Sequence, residues 1–161
     1  MKSSNQKKGG DAETDLYHFP GHLVRRLHQI NVGMFHDLLA DQNITPVQFG
    51  LLLRLTEVDL LDQVTLGAQL GINRTTMGDV ILRLEKRGFV SRGNSAGDRR
   101  VKLLSITTAG RNLVASAMPS VLKVQELLLA PLNAREKDVF IQLVSKIIEA
   151  NNGFSRVPIT R

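Results

Sequence analysis

The chain has no cysteine and no tryptophan, and only one tyrosine and six phenylalanines among its 161 residues. Without cysteine there is no disulfide, no thiolate metal ligand and no thiol-based redox switch. With so few aromatics, the apolar content is largely aliphatic, which suits helices packed on one another. No apolar run approaches the ~20 residues needed to cross a bilayer. Residues Met1 to Asp11 carry Lys2, Lys7 and Lys8, but no apolar segment of the signal-peptide kind follows, which predicts a cytoplasmic protein. Catalytic signatures are missing too: there is no Gly-rich phosphate loop, no nucleophile elbow, no HExxH pair and no distinctive acid pair. The sequence therefore predicts a non-enzyme with no cofactor and no catalytic residue.

What is present is positive charge, concentrated in one place. The formal net charge is +6. Arg74, Arg83, Lys86, Arg87, Arg92, Arg99, Arg100 and Lys102 face only Asp79, Glu85 and Asp98 within the same segment, so these 29 residues carry +5 of that total. A positive field confined to one segment suits a phosphate-bearing partner; the plain alternative is a solvated basic face.

Residues 1–14 are rich in Ser, Lys, Gly and Gln and predict a disordered tail. A first helix is expected from about Pro20, since proline suits the first helical turn, with Leu23, Leu27, Ile30, Met34 and Leu38 as its apolar stripe. Thr45-Pro46 marks a second helix start, followed by Val47, Leu51, Leu55 and Val58. Thr65 to Asn73 read as a short helix and a tight turn, and Arg74 to Arg87 as a second helix stopped by Gly88. Met77, Val80, Ile81 and Leu84 lie at i, i+3, i+4 and i+7 and should face a core, leaving Thr75, Asp79, Arg83 and Lys86 outward. Phe89 to Arg92 and Val101 to Ile106 read as strands joined by the turn-forming loop Gly93 to Asp98. Thr107 should cap a long helix that Pro131 ends, and Asn133 to Glu136 resemble the capping box of a last helix.

A helix-turn-helix followed by a basic hairpin is a device for reading two DNA grooves. The first residues of the second helix, Arg74, Thr75, Thr76 and Asp79, approach base edges or phosphates in the major groove, with Arg83 one turn on. Thr65 and the capping Asn73 complete the candidate DNA-binding residues on the two helices. Asp79 either accepts from a cytosine amino group or holds Arg83 at i+4 and orients it. The wing offers Arg92, Arg99 and Arg100, with Asp98 as a brace, to the electronegative minor groove. Contact with six to ten phosphates would reduce affinity by about 10³–10⁵-fold between roughly 50 and 200 mM salt.

These residues resemble the multiple-antibiotic-resistance regulator (MarR) family. Asp98-Arg99-Arg100, the aliphatic strand after it and Thr107-Thr108-Ala109-Gly110 are similar to the family's wing signature of Asp-x-Arg, strand and Thr-x-x-Gly. Arg83-Leu84-Glu85-Lys86-Arg87-Gly88-Phe89 is similar to the family's recognition-helix end. The likeness runs from about Tyr17 to Asn151 and implies a mostly α fold with a small β-hairpin wing. It implies a homodimeric winged helix-turn-helix repressor that binds pseudo-palindromic double-stranded DNA. Residues 15–161 would then be a single domain, with dimerisation helices at about 20–40 and 108–150 and the winged helix-turn-helix at about 45–107. Arg100 matches the wing arginine and Asp98 its brace. Asp79 and Leu82 depart from the commoner residues on the outer face of the recognition helix. The apolar terminal helices argue for a dimer independently, because a partner normally covers so large a patch.

All four histidines come early. His22, Arg25, Gln29 and His36 form a stripe opposite the apolar one. The resemblance implies a small aromatic carboxylate or phenolic effector that releases the DNA of a catabolic or efflux operon. Tyr17, His18, Phe19, His22, Arg25, His28 and Phe49 are its candidate ligand-binding residues, with Phe35 a further apolar wall; a solvated polar face is the alternative. A metal-responsive regulator using the N-terminal histidines is a second reading, although no metal ligand set is assigned. A winged-helix protein-interaction or architectural module is a third. Binding to the chromosome would make the protein nucleoid-associated.

Overall fold

The computed structural model describes residues 15–58, 60–94 and 102–159. Helix α1 spans Pro20–Leu38, α2 Pro46–Glu57, α3 Gln63–Leu70, α4 Arg74–Lys86, α5 Thr108–Leu128 and α6 Ala134–Asn151. The strands are β1 Leu61–Asp62, β2 Val90–Asn94 and β3 Lys102–Ile106, arranged as an antiparallel sheet in the order β1-β3-β2.

Local chemistry sets the helix starts. Pro20 occupies the first turn of α1. Thr45 caps α2 and Gln48 reaches back 3.0 Å to the Thr45 N–H, completing a capping box. Asn73 caps α4 by accepting from the Thr76 N–H at 2.9 Å. Thr107 caps α5, and Asn133 with Glu136 form the expected box on α6. Each cap satisfies N–H groups that have no partner inside the helix.

The core lies where α2, α3, α4 and the sheet meet α5 and the end of α1. Leu51, Leu52, Leu55, Leu66, Met77 and Ile81 are completely buried there. The outer residues of α2's expected stripe behave differently: Val47 is 39% exposed and Val58 is the C-cap. Their places in the core are taken by Phe49, Leu52 and Gln48.

One feature corrects the sequence reading and two add to it. Phe89 precedes β2, which instead continues through Gly93 and Asn94, because those residues pair with Leu103 and Lys102. The two-residue β1 had no periodicity to reveal it, yet it pairs with Leu103 and Leu104 on the free edge of β3. Pro119 lies inside α5, where it cannot donate to the Ala115 carbonyl, but the helix runs on to Leu128.

Asp62 caps α3. It accepts from the Val64 and Thr65 N–H groups at 2.9 and 3.0 Å and from the Thr65 hydroxyl at 2.6 Å. The Thr65 hydroxyl, then the backbone N–H groups, hold the carboxyl below the ordinary carboxylate range. A depressed folded-state pKa stabilises the fold above the unfolded pKa, and that contribution is lost as pH falls through the folded value. Asp62→Asn is therefore expected to flatten the fall in stability below about pH 4, while Asp62→Ala lowers stability by about 1 kcal/mol at neutral pH. Urea unfolding of both variants across pH checks this. Equal acid sensitivity in the wild type and Asp62→Asn would contradict it.

Candidate nucleic-acid interface

The interface is built on α3 and α4. Gly71, at φ +65, closes α3 in the left-handed conformation, and the Ile72 N–H returns to the Gly67 carbonyl at 2.9 Å. That sharp turn presents Asn73 and the first turn of α4. Gln63 Nε2 donates to the Arg74 carbonyl at 3.2 Å and ties the two helices at their starts. Met77, Ile81 and Leu84 of α4 are buried, and Thr75, Thr76, Asp79, Leu82, Arg83 and Lys86 are exposed. The predicted face is thus presented outward, with Leu82 45% exposed among the polar groups.

The end of α4 is equally defined. Gly88 has φ +75, the Phe89 N–H donates to the Leu84 carbonyl at 3.0 Å and the Gly88 N–H to the Glu85 carbonyl at 2.9 Å. This six-to-one and five-to-two pattern is the Schellman stop. The chain then turns directly into β2, so helix and wing are held in a fixed relation. Ser91 and Ser105 face each other across β2 and β3 with their hydroxyls 2.8 Å apart.

The basic residues divide into two groups. Arg87 donates to the Asn43 and Gln42 carbonyls at 2.6 and 3.0 Å and lies 4.8 Å over the Phe89 ring. It fastens the α1–α2 turn to the end of α4. Arg92 Nε sits 3.0 Å from Glu85 Oε2, linking the wing to the flank of α4. Arg74, Arg83 and Lys86 make no ion pair among the described residues. They are the cations this surface leaves for an external anion.

Two expected roles change. Asp79 and Arg83 are not paired among the described residues, since both stand in solvent where an exposed pair gains little over hydration. Thr65 spends its hydroxyl on Asp62 within the α3 cap. Asp98, Arg99 and Arg100 lie outside the described residues.

The second candidate site is at the start of α1. Asp15 caps a short turn of 3₁₀ helix, Leu16–His18, and its carboxylate lies 3.0 Å from His18 Nδ1. The Tyr17 ring meets the His22 ring edge-on with centroids 5.7 Å apart. Arg25 Nη2 lies 3.4 Å from His22 Nδ1. If Arg25 donates, the neutral ring carries its proton on Nε2 and keeps a donor there. Tyr17, Phe19 and Arg25 are exposed, and so is His28, nearly one turn beyond Arg25. Phe49 does not join them. It is buried and packs on Phe35 with ring centroids 6.3 Å apart, because α2's inner face belongs to the core. Among the described residues, no three His, Cys, Asp or Glu side chains are grouped to hold a metal ion. No described helix is long and apolar enough to cross a membrane.

The Thr-x-x-Gly segment acquires a physical reason. The Thr107 N–H and hydroxyl donate to the Phe89 and Gly88 carbonyls at 3.1 and 2.7 Å, and its oxygen accepts from the Gly110 N–H at 3.1 Å. A Cβ on Gly110 would overlap the Phe89 carbonyl oxygen and come within 2.7 Å of Ile106 Cγ1. The close approach of α5 to the end of the recognition helix therefore requires glycine.

Known proteins agree with this geometry. The MarR family profile matches residues 44–102. The transcriptional repressor NicR of Pseudomonas putida is 28% identical over 131 residues, covering 81% of this chain and 83% of NicR. The PcaV transcriptional regulator of Streptomyces coelicolor, solved with its natural ligand, superposes with a TM-score of 0.78 at 32% identity, covering 84% of this chain and 96% of PcaV. BpsR of Bordetella bronchiseptica, whose DNA binding is regulated by 6-hydroxynicotinic acid, superposes with a TM-score of 0.79 at 28% identity, covering 83% and 95%. With its winged helix-turn-helix and this similarity along most of its length, the chain belongs to the MarR family of DNA-binding transcriptional regulators.

Proposed function

We propose that the protein is a homodimeric repressor that reads a pseudo-palindromic operator with paired α4 helices and is released by a small aromatic acid. The observation that carries the DNA reading is the outer face of α4, where Arg74, Arg83 and Lys86 lack ionic partners among the described residues beside a wing anchored to the same helix. In this reading Thr75, Thr76 and Asp79 lie against the major groove, Asn73 orders the helix start, Arg99 and Arg100, braced by Asp98, follow the neighbouring minor groove, and Arg92, paired with Glu85, holds the wing to α4. Thr65 acts through the α3 cap.

Dimerisation is supported by apolar surface. Val24 on α1 is 67% exposed and Ile147 on α6 is 62% exposed, with Leu23, Ile30, Ile141, Leu143 and Ile148 also open. A monomer does not ordinarily leave such a surface to water. A two-fold pair through α1, α5 and α6 would cover it and set two α4 helices about one DNA turn apart. The residues around 45–107 would then form the DNA-reading lobe.

The effector reading is supported by Arg25 and His22, set against Tyr17 with Phe19 and His18 near in sequence, and by the aromatic acid that regulates BpsR. A guanidinium and an imidazole N–H suit a carboxylate, and an exposed ring suits its aromatic body. In this reading His28, nearly one turn beyond Arg25, flanks the site, and Phe49, buried against Phe35, is not part of it. Ligand binding favours a lobe spacing that no longer fits successive grooves.

Sequencing the genomic fragments retained by the purified protein at two salt concentrations tests the DNA reading. Enrichment of one palindrome beside a catabolic or efflux operon is expected; salt-sensitive retention without an enriched sequence would refute it and favour an architectural role. Calorimetric titration with benzoate, hydroxybenzoates and hydroxynicotinates tests the effector. Arg25→Ala is expected to weaken the tightest of them by at least about tenfold, as for a lost charge-assisted hydrogen bond. The ligand must also bind the DNA complex more weakly, by the same factor as it weakens DNA binding. Equal ligand affinity with and without DNA would sink the release mechanism.

A further inference from the structure

Beyond α6 the chain does not trail away. Residues 152–154 form a turn of 3₁₀ helix. The Asn152 side chain then donates to the Ile159 carbonyl at 3.0 Å and accepts from the Ile159 N–H at 2.8 Å. This two-way clamp imitates a backbone pair and closes residues 152–159 into a strap. Ser155 Oγ stiffens its middle, accepting from the Val157 N–H at 3.2 Å and donating to the Val157 carbonyl at 2.9 Å.

The strap lies against the DNA-reading helices. Ile159 Cγ1 comes within 3.4 Å of the place a Cβ on Gly71 would take, at the turn between α3 and α4. Arg156 and Val157 border, with Gln63, Ala68, Asn73 and Arg74, an open cleft of about 370 Å³. Arg156 is exposed and makes no ion pair among the described residues. It shares this cleft with a second arginine at a helix start that has no acid in its first turn. Two cations beside the positive end of a helix repel one another in the free protein, and a polyanion relieves all three.

We propose that this strap belongs to the DNA-binding apparatus: Val157 and Ile159 seat it on the helix-turn-helix, and Arg156 supplies a phosphate contact flanking the recognition helix. The proposal rests on the reading of α4 as the DNA-reading helix. It adds a cation from a part of the chain far from the basic segment in sequence.

The test uses the full chain and the duplex recovered from the genomic fragments, with affinity followed across a salt series. Arg156→Ala is expected to weaken binding several-fold and to lower the slope of log affinity against log salt by about one per protomer. Arg156→Lys should restore the slope. Ile159→Asp should lose it as Arg156→Ala does, because the strap no longer seats on Gly71. If Arg156→Ala keeps the wild-type slope while Arg83→Ala weakens binding, the strap is a bystander and the proposal fails alone. If neither variant changes binding, the reading of α4 fails with it.

Discussion

Gly110→Ala is expected to destabilise the protein by about 3 kcal/mol or more, near the upper end for overpacking. The added methyl group meets the Phe89 carbonyl, which cannot move freely because the Thr107 N–H is bonded to it. The collision joins two elements that must stay together, the first turn of α5 and the Schellman stop of α4. For a chain of this size the loss corresponds to a fall in melting temperature on the order of 10 °C. Gly50→Ala provides the contrast. Gly50 lies mid-way along α2, and nothing stands within 4 Å of where an alanine methyl group would sit, so alanine should stabilise that helix by roughly 0.5–1 kcal/mol. Thermal unfolding of the two variants reads opposite signs. A Gly110→Ala protein that melts with the wild type would show that α5 and the end of α4 do not pack as described.

Arg83→Ala is expected to reduce affinity for the selected duplex by on the order of tenfold or more, the cost of one specific arginine contact. The double variant with Arg74→Ala should lose on the order of a hundredfold if the two contacts are independent. Arg87→Ala, four residues on at the C-cap of α4, is expected to behave in the opposite way. Its guanidinium is committed to the Asn43 and Gln42 carbonyls, so its removal should lower the melting temperature and leave the affinity of the folded protein close to wild type. Binding isotherms with matched thermal melts separate these outcomes. An equal loss of affinity for Arg83→Ala and Arg87→Ala would mean that charge along the segment, rather than the α4 face, governs DNA binding.

The contrast between Arg83 and Arg87 also marks the limit of reading the chain residue by residue. Both sit in the same basic run and look equivalent there. One stays in solvent, and the other finds two carbonyls 44 and 45 residues away. Arg92 likewise reads as a free wing cation until Glu85 is found beside it. Thr65 reads as a candidate DNA ligand until Asp62 takes its hydroxyl. Phe49 reads as a candidate pocket wall until α2's rotation about its axis puts it on Phe35.

The starts of α1, α2, α4, α5 and α6, the inward face of α4 and the location of the basic charge were legible in the sequence, whereas α3 begins at Gln63, two residues before the expected Thr65. Those follow from rules that act within a few residues: a side chain caps the next turn, and apolar groups three and four apart share one helical face. Which cations stay unpaired on the α4 face, why Gly110 has no room for a side chain, and the return of residues 152–159 to the helix-turn-helix appear in the folded chain alone. Those outcomes depend on which groups from distant parts of the chain meet in space, and the pairing of a charge or the absence of room is set by that meeting.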